Sequence, residues 1–265
     1  MSNPVTLYVD LLKRCVSNSI NDDDLDMMKG KFTVDPETGK YRSVEPAPVT
    51  GNKKHLGGIW PTRAFTMIGI PRLDNLQYCV EEVLDNQVPG DLIETGVWRG
   101  GAVIFMRGLL EAHGVIDRLV WVADSFEGLP KANYALYPKE SKGKFHMYEP
   151  LAVSIHEVRE NFHRFGLLDD RVRFLKGWFR DTLPTAPIET LAVMRLDGDL
   201  YESTMDALVN LYDKLSLGGF VIIDDYNAVE SCNRAVDDFR SQRKITTELS
   251  LIQGSGAFWR KGPTG

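Results

Sequence analysis

The chain has 265 residues, of which 43% are hydrophobic, and its formal net charge at pH 7 is −6. A chain of this size can bury a large core, so one α/β domain with an N-terminal extension is expected rather than two domains. An acidic chain without a lysine- and arginine-dense stretch is not expected to bind nucleic acid.

The cysteines and the hydropathy pattern indicate a cellular location. Cys15, Cys79 and Cys232 are far apart and form no Cys-x-x-Cys pair, which predicts neither a disulfide framework nor a zinc site. The N-terminus has no apolar signal segment, and no stretch approaches about 18 uninterrupted apolar residues. We therefore expect a cytoplasmic protein without a membrane partner.

The first part of the chain is predicted to form helices and a lid. Asn3-Pro4, followed by an apolar stripe, predicts a short opening helix with a capped first turn. Residues 22–55 are acidic and proline-rich and lack periodicity, which predicts a mobile arm or, alternatively, a disordered tail. Helices are then expected at 62–70 and 72–86, with a break at Pro71.

From residue 89 onward, short apolar runs alternate with amphipathic stretches, which is typical of a parallel sheet covered by helices. Helices are predicted at 102–110, from 154 to about 166, at 201–215 and at 229–240, and strands at 92–95, 118–123, 172–176, 190–196, 220–223, 248–252 and 257–260. The glycines between the last two strands predict an antiparallel hairpin. The polar, aromatic-rich stretch 131–152 is predicted to be an insertion that covers the substrate.

The strand that begins at Leu92 leads through a glycine-rich turn into a helix, an arrangement that lets a compact ligand approach the backbone. Gly96 and Gly100 lack the Gly-x-Gly-x-x-Gly spacing of a dinucleotide site. The Glu94 carboxylate is unfavourable beside a pyrophosphate but suits an ammonium group. S-adenosylmethionine (SAM) is therefore the better candidate ligand, and a purely structural turn is the alternative.

Two later positions extend this candidate cofactor site. Asp124 follows the next strand, and an acid about 20 to 30 residues after the glycine turn is where α/β nucleotide sites bind the ribose. Capping of a helix or turn is the alternative role for Asp124. Trp178, after the strand at 172–176, is either an aromatic wall for a flat base or a core residue.

Carboxylates also end two successive predicted strands. Asp197 follows the strand at 190–196, and Asp224 and Asp225 follow the strand at 220–223. A crossover helix makes these strands parallel and places their ends together. Gathered like charges are unfavourable unless a cation or proton neutralises them, and an all-oxygen set suits Mg²⁺. Asp197, Asp224 and Asp225 are the predicted ligands; separate caps and solvated acids are the alternative.

Several motifs carry a resemblance that covers nearly the whole chain. They are Thr66-Met67-Ile68-Gly69, Arg72-Leu73-Asp74-Asn75-Leu76, Glu94-Thr95-Gly96-Val97-Trp98-Arg99-Gly100-Gly101, Asp124-Ser125-Phe126-Glu127-Gly128-Leu129-Pro130, Leu196-Asp197-Gly198-Asp199-Leu200-Tyr201 and Asp224-Asp225-Tyr226. In these motifs the chain resembles the macrocin-type sugar O-methyltransferases, which include the mycinamicin and novobiocin sugar methyltransferases. The resemblance implies SAM- and Mg²⁺-dependent methylation of a hydroxyl on a deoxysugar, usually attached to a natural-product aglycone.

The resemblance also implies a fold. We expect an α/β class I methyltransferase, Rossmann-like, with a mostly parallel seven-stranded sheet that ends in an antiparallel hairpin. Residues 1–88 would form the N-terminal helices and lid arm, and residues 89–265 the core with its insertion at 131–152. Family members commonly pair through N-terminal helices, so a homodimer is expected.

Individual roles follow from the same resemblance. Glu94, Thr95, Gly96, Val97, Trp98, Arg99 and Gly100 would wrap the methionine part of SAM, Met67 would contact the cofactor, Asp124 and Ser125 would bind the ribose, and Gly177 and Trp178 would border the adenine. Asp197, Asp224 and Asp225 would bind Mg²⁺, which lowers the pKa of a coordinated hydroxyl. Asp197 is expected to be base and ligand together, with Asp199 or His146 as the alternative base.

Three other functions compete with this one. A nucleotide-activated sugar as acceptor would need a basic diphosphate pocket, for which the candidates are Lys53, Lys54, Lys139, Lys142 and Lys144. A catechol-type metal-dependent O-methyltransferase typically has asparagine after the acidic pair, where this chain has Tyr226. A non-catalytic SAM-binding protein would not need a metal beside the methyl group, so the three strand-end aspartates disfavour it.

Overall fold

The N-terminal part of the chain folds as a helix, a β-hairpin and a second helix. The computed structural model describes residues 3–137 and 144–263. The N-terminal elements are α1 (Pro4–Val16), β1 (Leu25–Val34), β2 (Tyr41–Pro48) and α2 (Gly69–Asp85). The Asn3 side chain accepts a hydrogen bond of 3.0 Å from the Val5 N–H, so the predicted capped helix is confirmed.

The stretch 22–55, predicted to be a mobile arm or a tail, contains the regular β1–β2 hairpin. Its antiparallel strands pair from Leu25 and Pro48 to Val34 and Tyr41, with register shifts between. Aromatic contacts hold it against the rest of the protein, since the Tyr148 ring lies 5.1 Å from that of Tyr41. Most positions of both strands are exposed or only partly buried, so the sequence shows no hydrophobic alternation.

Of the two helices predicted on either side of Pro71, the second is confirmed as α2 and the first is wrong. α2 begins at Gly69, so Pro71 lies in the first turn, where its missing N–H removes no intrahelical hydrogen bond. Residues 62–68 are bends rather than helix. The proline therefore marks the start of one helix instead of a break between two.

The rest of the described chain forms a sheet with helices on both faces. Its elements are β3 (Asp91–Thr95), α3 (Gly101–Ala112), β4 (Val120–Asp124), α4 (Ile155–Arg164), β5 (Val172–Lys176), α5 (Phe179–Thr182), β6 (Leu191–Leu196), α6 (Tyr201–Leu211), β7 (Leu215–Ile223), α7 (Glu230–Gln242), β8 (Ser250–Leu251) and β9 (Ala257–Arg260). None of the helices within the described ranges is long and apolar enough to cross a membrane.

The seven strands β3 to β9 have the order β5-β4-β3-β6-β7-β9-β8. β3 to β7 are parallel to one another, and β9 is antiparallel to both β7 and β8. The predicted α/β fold, mostly parallel with a terminal antiparallel hairpin, is confirmed. The boundaries around β7 differ from the prediction, because α6 ends at Leu211 and β7 already begins at Leu215 rather than at Phe220.

The sheet separates two apolar cores. One face packs against α2 and α3 and includes Leu92, Val193 and Phe220, while the other packs against α6 and α7 and includes Ile93, Met194 and Val221. Alternate residues of a strand face the same side of the sheet. Glu94 and Arg195, each two residues after Leu92 and Val193, therefore lie on the same face as that pair. In the register of the sheet, Glu94 of β3 lies beside Arg195 of β6.

Asp24 ties the start of the hairpin to the chain that precedes α2. Its buried carboxylate accepts hydrogen bonds from Asn18 and from the backbone N–H groups of Arg63 and Ala64, and it pairs with Lys54. Burial opposes the charged form of Asp24. The hydrogen bonds from Lys54, Asn18 and the backbone outweigh burial and hold the pKa of Asp24 below its usual value.

Asp24→Ala is expected to lower the free energy of unfolding by roughly 2–4 kcal/mol at pH 7, because it leaves buried donors unpaired. A lowered folded-state pKa means that the contribution is complete above the unfolded pKa of about 4 and is lost as the pH falls through the folded pKa. Urea unfolding at neutral and acidic pH measures both effects. Asp22→Ala is the control, since that carboxylate also pairs with Lys54 but is 78% exposed; equal losses would contradict the assignment.

Candidate active site

A cavity of about 610 Å³ opens at the carboxyl ends of the central strands. The strand order reverses direction between β3 and β6, and ligands of open α/β sheets bind at such a point. The predicted site residues that line the cavity are Met67, Glu94, Gly96, Val97, Trp98, Asp124, Ser125, Trp178, Asp197, Asp224 and Asp225. Most of the predicted site is therefore brought together in one place.

Four predicted cofactor residues lie outside the lining of this cavity. Arg99 donates hydrogen bonds from Nη1 to three backbone carbonyls within 61–64. Thr95 is buried in β3, Gly100 is the N-cap of α3, and Gly177 has a φ of 141°. These residues shape the turns behind the cavity wall.

The turn after β3 brings the backbone against the next strand of the sheet. Gly96 has a φ of 82°, and a Cβ atom there would lie 1.9 Å from the backbone oxygen of Asp197. Only glycine satisfies both the left-handed backbone and this close approach. The predicted cofactor turn and the acidic end of β6 are therefore in direct contact.

Asp124 joins the glycine turn to the turn after β4. Its Oδ2 accepts a hydrogen bond of 2.7 Å from the Val97 N–H, and its Oδ1 accepts one of 2.7 Å from the Phe126 N–H. Burial raises the pKa of Asp124, and these backbone hydrogen bonds oppose the rise. Asp124 therefore orders both turns, and a ribose would have to use its remaining lone pairs.

Arg195 lies at the centre of the site, although the sequence analysis assigned it no role. Its Nη1 donates to Glu94 Oε1 at 2.5 Å and to Asp197 Oδ2 at 3.1 Å, and its Nη2 donates to Asp224. The side chain is 1% exposed. A charged residue inside the apolar run 190–196 was the available signal, because a buried charge requires partners of opposite sign.

Asp224 does not join the other two predicted metal ligands. One of its oxygens accepts a hydrogen bond from Arg195, and the other accepts one from Arg72 of α2. The predicted set of Asp197, Asp224 and Asp225 is therefore not the set whose free oxygens converge. The physical reason is that both oxygens of Asp224 are occupied by arginines, whose charges it neutralises.

Among the described residues, the carboxylates that converge are Asp197, Asp199 and Asp225, with one oxygen of each within 4.8 Å of the others. Burial, followed by the charges of neighbouring aspartates, raises the pKa of Asp197 to about 6 and that of Asp199 to about 8, and raises the pKa of Asp225 strongly. Three partly buried acids that resist joint ionisation fit a hard divalent cation such as Mg²⁺.

Glu94 presents a carboxylate oxygen without a partner. Arg195 occupies Oε1, whereas Oε2 is buried and has no hydrogen-bond partner in the described part of the chain. Burial raises the pKa of Glu94 to about 8; Arg195 opposes this rise, and Asp197 and Asp224 add to it. An unsatisfied buried acceptor is unfavourable, and a ligand ammonium group would satisfy it.

Aromatic side chains form another wall of the cavity. Trp60 lies with its ring centroid 6.5 Å from that of Phe145, and the ring of Tyr137 stacks on that of Tyr201 with centroids 4.6 Å apart. Such rings suit a sugar face or a flat aglycone. The predicted insertion supplies part of this wall; its residues 138–143 lie outside those that the structure describes.

A family comparison identifies the chain. The model of the macrocin-O-methyltransferase (TylF) family matches residues 5–261. The chain belongs to this family. It is therefore an O-methyltransferase, and the resemblance stated from its motifs is confirmed.

Characterised relatives cover almost the whole chain. The 8-demethyl-8-(2,3-dimethoxy-alpha-L-rhamnosyl)-tetracenomycin-C 4'-O-methyltransferase of Streptomyces olivaceus is 52% identical over 96% of this chain and 92% of its own. The demethyldecarbamoylnovobiocin O-methyltransferase of Streptomyces niveus is 49% identical over 97% and 94%. The solved structure of the O-methyltransferase NovP is 48% identical, with a TM-score of 0.85 over 97% of this chain and 99% of that one.

Gly96→Ala is expected to lower the free energy of unfolding by about 3 kcal/mol or more, because the added Cβ meets backbone that cannot move aside. Gly114→Ala is the matched control. Gly114 also has a left-handed backbone, with a φ of 66°, but nothing lies within 4 Å of an added Cβ, so a loss of only about 1 kcal/mol is expected. Thermal unfolding of the two variants compares them, and equal stabilities would rule out the close approach.

Proposed function

We propose that the protein transfers the methyl group of SAM to a sugar hydroxyl of a glycosylated natural product, with Mg²⁺ at the aspartate cluster. The main support is that one cavity contains both an unpaired Glu94 oxygen and the cluster of Asp197, Asp199 and Asp225. The first suits an ammonium group and the second a divalent ion. The relative from Streptomyces olivaceus is named for a rhamnosyl-bearing acceptor, which supports a sugar acceptor here.

The proposed cofactor site consists of the predicted residues that line the cavity. Glu94 would bind the ammonium group, Gly96, Val97 and Trp98 would surround the methionine part, Met67 would contact the cofactor, Asp124 and Ser125 would bind the ribose, and Trp178 would border the adenine. SAM supplies an electrophilic methyl group on a sulfonium. The protein orients this group and the acceptor oxygen for in-line displacement, which lowers the entropic part of the barrier.

The proposed metal ligands are Asp197 and Asp225, which belong to both the predicted set and the observed cluster. Mg²⁺ held by these aspartates would act as a Lewis acid, which lowers the pKa of an acceptor hydroxyl and makes it more nucleophilic near neutral pH. Arg195 holds one oxygen of Asp197, which leaves Asp199 better placed to accept the proton of the acceptor hydroxyl. We therefore propose Asp199, rather than Asp197, as the base.

A nucleotide-activated sugar is the second candidate acceptor. A smaller cavity of about 430 Å³ shares Trp178 and Lys131 with the large one and is also lined by Lys40 and His146. Burial and the charges of nearby lysines lower the pKa of His146, which indicates a positive potential. Such a surface suits a diphosphate group. His146 itself lies in this smaller cavity and is not a lining residue of the large one, which disfavours it as the base.

The lysines predicted for a diphosphate pocket have different surroundings. Lys54 pairs with Asp22 and Asp24 and therefore serves the N-terminal fold. Lys144 contributes to the potential at His146. Lys139 and Lys142 lie outside the described residues. Lys40 and Lys131 supply this basic surface together with Lys144. Of these three, only Lys144 was among the lysines predicted from the sequence.

The decisive experiment incubates the protein with methyl-labelled SAM, Mg²⁺ and two acceptor panels, one of glycosylated natural products and one of nucleotide-activated deoxysugars. We expect label on a sugar oxygen of the first panel, and loss of transfer when a chelator is added. Transfer only to the second panel would select the nucleotide-activated acceptor. Transfer that persists with chelator would exclude the metal role, and SAM binding without transfer to either panel would exclude a sugar acceptor.

Asp199→Asn is expected to lower the turnover rate about 100-fold or more, because the acceptor proton then has no base and the aspartate cluster loses one of its three carboxylates. SAM binding, measured in chelator, should persist, since Asp199 is not part of the proposed cofactor site. Asp170→Asn is the control on an exposed surface carboxylate and should leave both quantities unchanged. Full turnover by Asp199→Asn would contradict its assignment as the base.

A further inference from the structure

Arg195 links the proposed cofactor site to the proposed metal site through one guanidinium group. The sheet register places Glu94 and Ile222 on either side of Arg195. Asp197 follows the end of β6, two residues after Arg195, and Asp224 follows the end of β7, two residues after Ile222. Because alternate residues face the same side, the two aspartates lie on the same face as Arg195. Three carboxylates therefore surround Arg195 at the carboxyl edge of the sheet.

Arg72 fixes this arrangement from α2. Its Nη1 donates to the second oxygen of Asp224, its Nε donates to the Ile68 carbonyl at 2.6 Å, and its Nη2 donates to the Gly57 carbonyl at 3.0 Å. Asp224 is thus held between two arginines. Arg195 in turn donates hydrogen bonds to one oxygen each of Glu94, Asp197 and Asp224.

The ion pairs of Arg195 and Arg72 are arranged more specifically than the stability of the fold requires. A buried ion cluster often stabilises a protein less than apolar side chains of similar volume would. Here the cluster lies between two proposed ligand sites and leaves specific atoms free. Arg195 occupies Oε1 of Glu94 and leaves Oε2 unpaired, and it occupies one oxygen of Asp197 beside the aspartate cluster.

We infer that Arg195 is a positioning residue for methyl transfer. It fixes the Glu94 carboxylate so that Oε2 is available to the ammonium group of the cofactor, and it orients Asp197 toward the metal site. Asp224 has the role of holding Arg195 in place. This inference rests on the proposed function, and it extends the catalytic arrangement to two residues of the inner network.

The test compares two ligands of the wild-type protein and of Arg195→Lys in the presence of chelator. SAM carries the amino-acid group, whereas 5′-methylthioadenosine shares its adenosine but lacks that group. Lysine keeps the charge, but a single ammonium cannot span Glu94, Asp197 and Asp224. We expect the dissociation constant of SAM to rise about 10- to 100-fold, as for a charged hydrogen bond, and that of methylthioadenosine to stay unchanged.

Two further variants separate a positioning role from general damage. Arg107→Lys replaces an arginine that is also buried, 2% exposed, which pairs with Glu111 and Asp169 and does not line the cavity. It should leave both dissociation constants at the wild-type values. Asp224→Asn is isosteric but offers a single acceptor oxygen to the two arginines and no negative charge, which loosens the hold on Arg195. It should therefore weaken SAM binding selectively, and it decides the question if Arg195→Lys does not fold.

Each outcome bears on the inference. Unchanged SAM affinity in the folded variants at Arg195 or Asp224 would overturn it. Equal loss of SAM and methylthioadenosine would also overturn it, because a structural role weakens both ligands alike. A wild-type protein that binds methylthioadenosine but not SAM would instead refute the proposed cofactor, so the two failures are distinguishable.

Discussion

The ion pairs of Arg195 are the interaction on which the rest of the site depends. A guanidinium group inside the central strand of a sheet is unfavourable unless carboxylates surround it, and Glu94, Asp197 and Asp224 do so. With Asp199 and Asp225 nearby, acidic groups outnumber the arginines at the cavity. Burial, and after it the repulsion from Asp197 and Asp224, raises the pKa values of Glu94 and Asp199. The binding of cations offsets this surplus of negative charge.

The position of this network follows from chain topology. β3 and β6 are neighbours, although a large part of the chain separates them, and their carboxyl ends meet where the strand order reverses. The contact of Gly96 with the backbone of Asp197 fixes the distance between the two turns. Through Arg72, α2 and the turn at Gly57 join the same network. The proposed cofactor and metal sites are therefore parts of one packed unit.

The sequence predicts the elements of this fold well where periodicity and turn chemistry agree. The parallel strands and the capped first helix follow from apolar runs, glycine turns and the Asn3-Pro4 pair. The β1–β2 hairpin was missed because its strands are held by aromatic contacts with Tyr148, which lies about 100 residues later in the chain. Pro71 was misjudged because its effect depends on where α2 starts.

The exchange of Asp224 for Asp199 in the acidic cluster shows where sequence reasoning about the site stops. Both residues follow a strand within three positions, so spacing cannot say which one meets Asp197. Two three-dimensional facts decide it: Arg195 faces Asp224, and the left-handed backbone of Asp199, with a φ of 54°, turns the chain after Gly198. A charged residue within an apolar central strand was visible beforehand. Its need for partners, followed to the neighbouring strand ends, would have predicted the ion pair of Arg195 with Asp224.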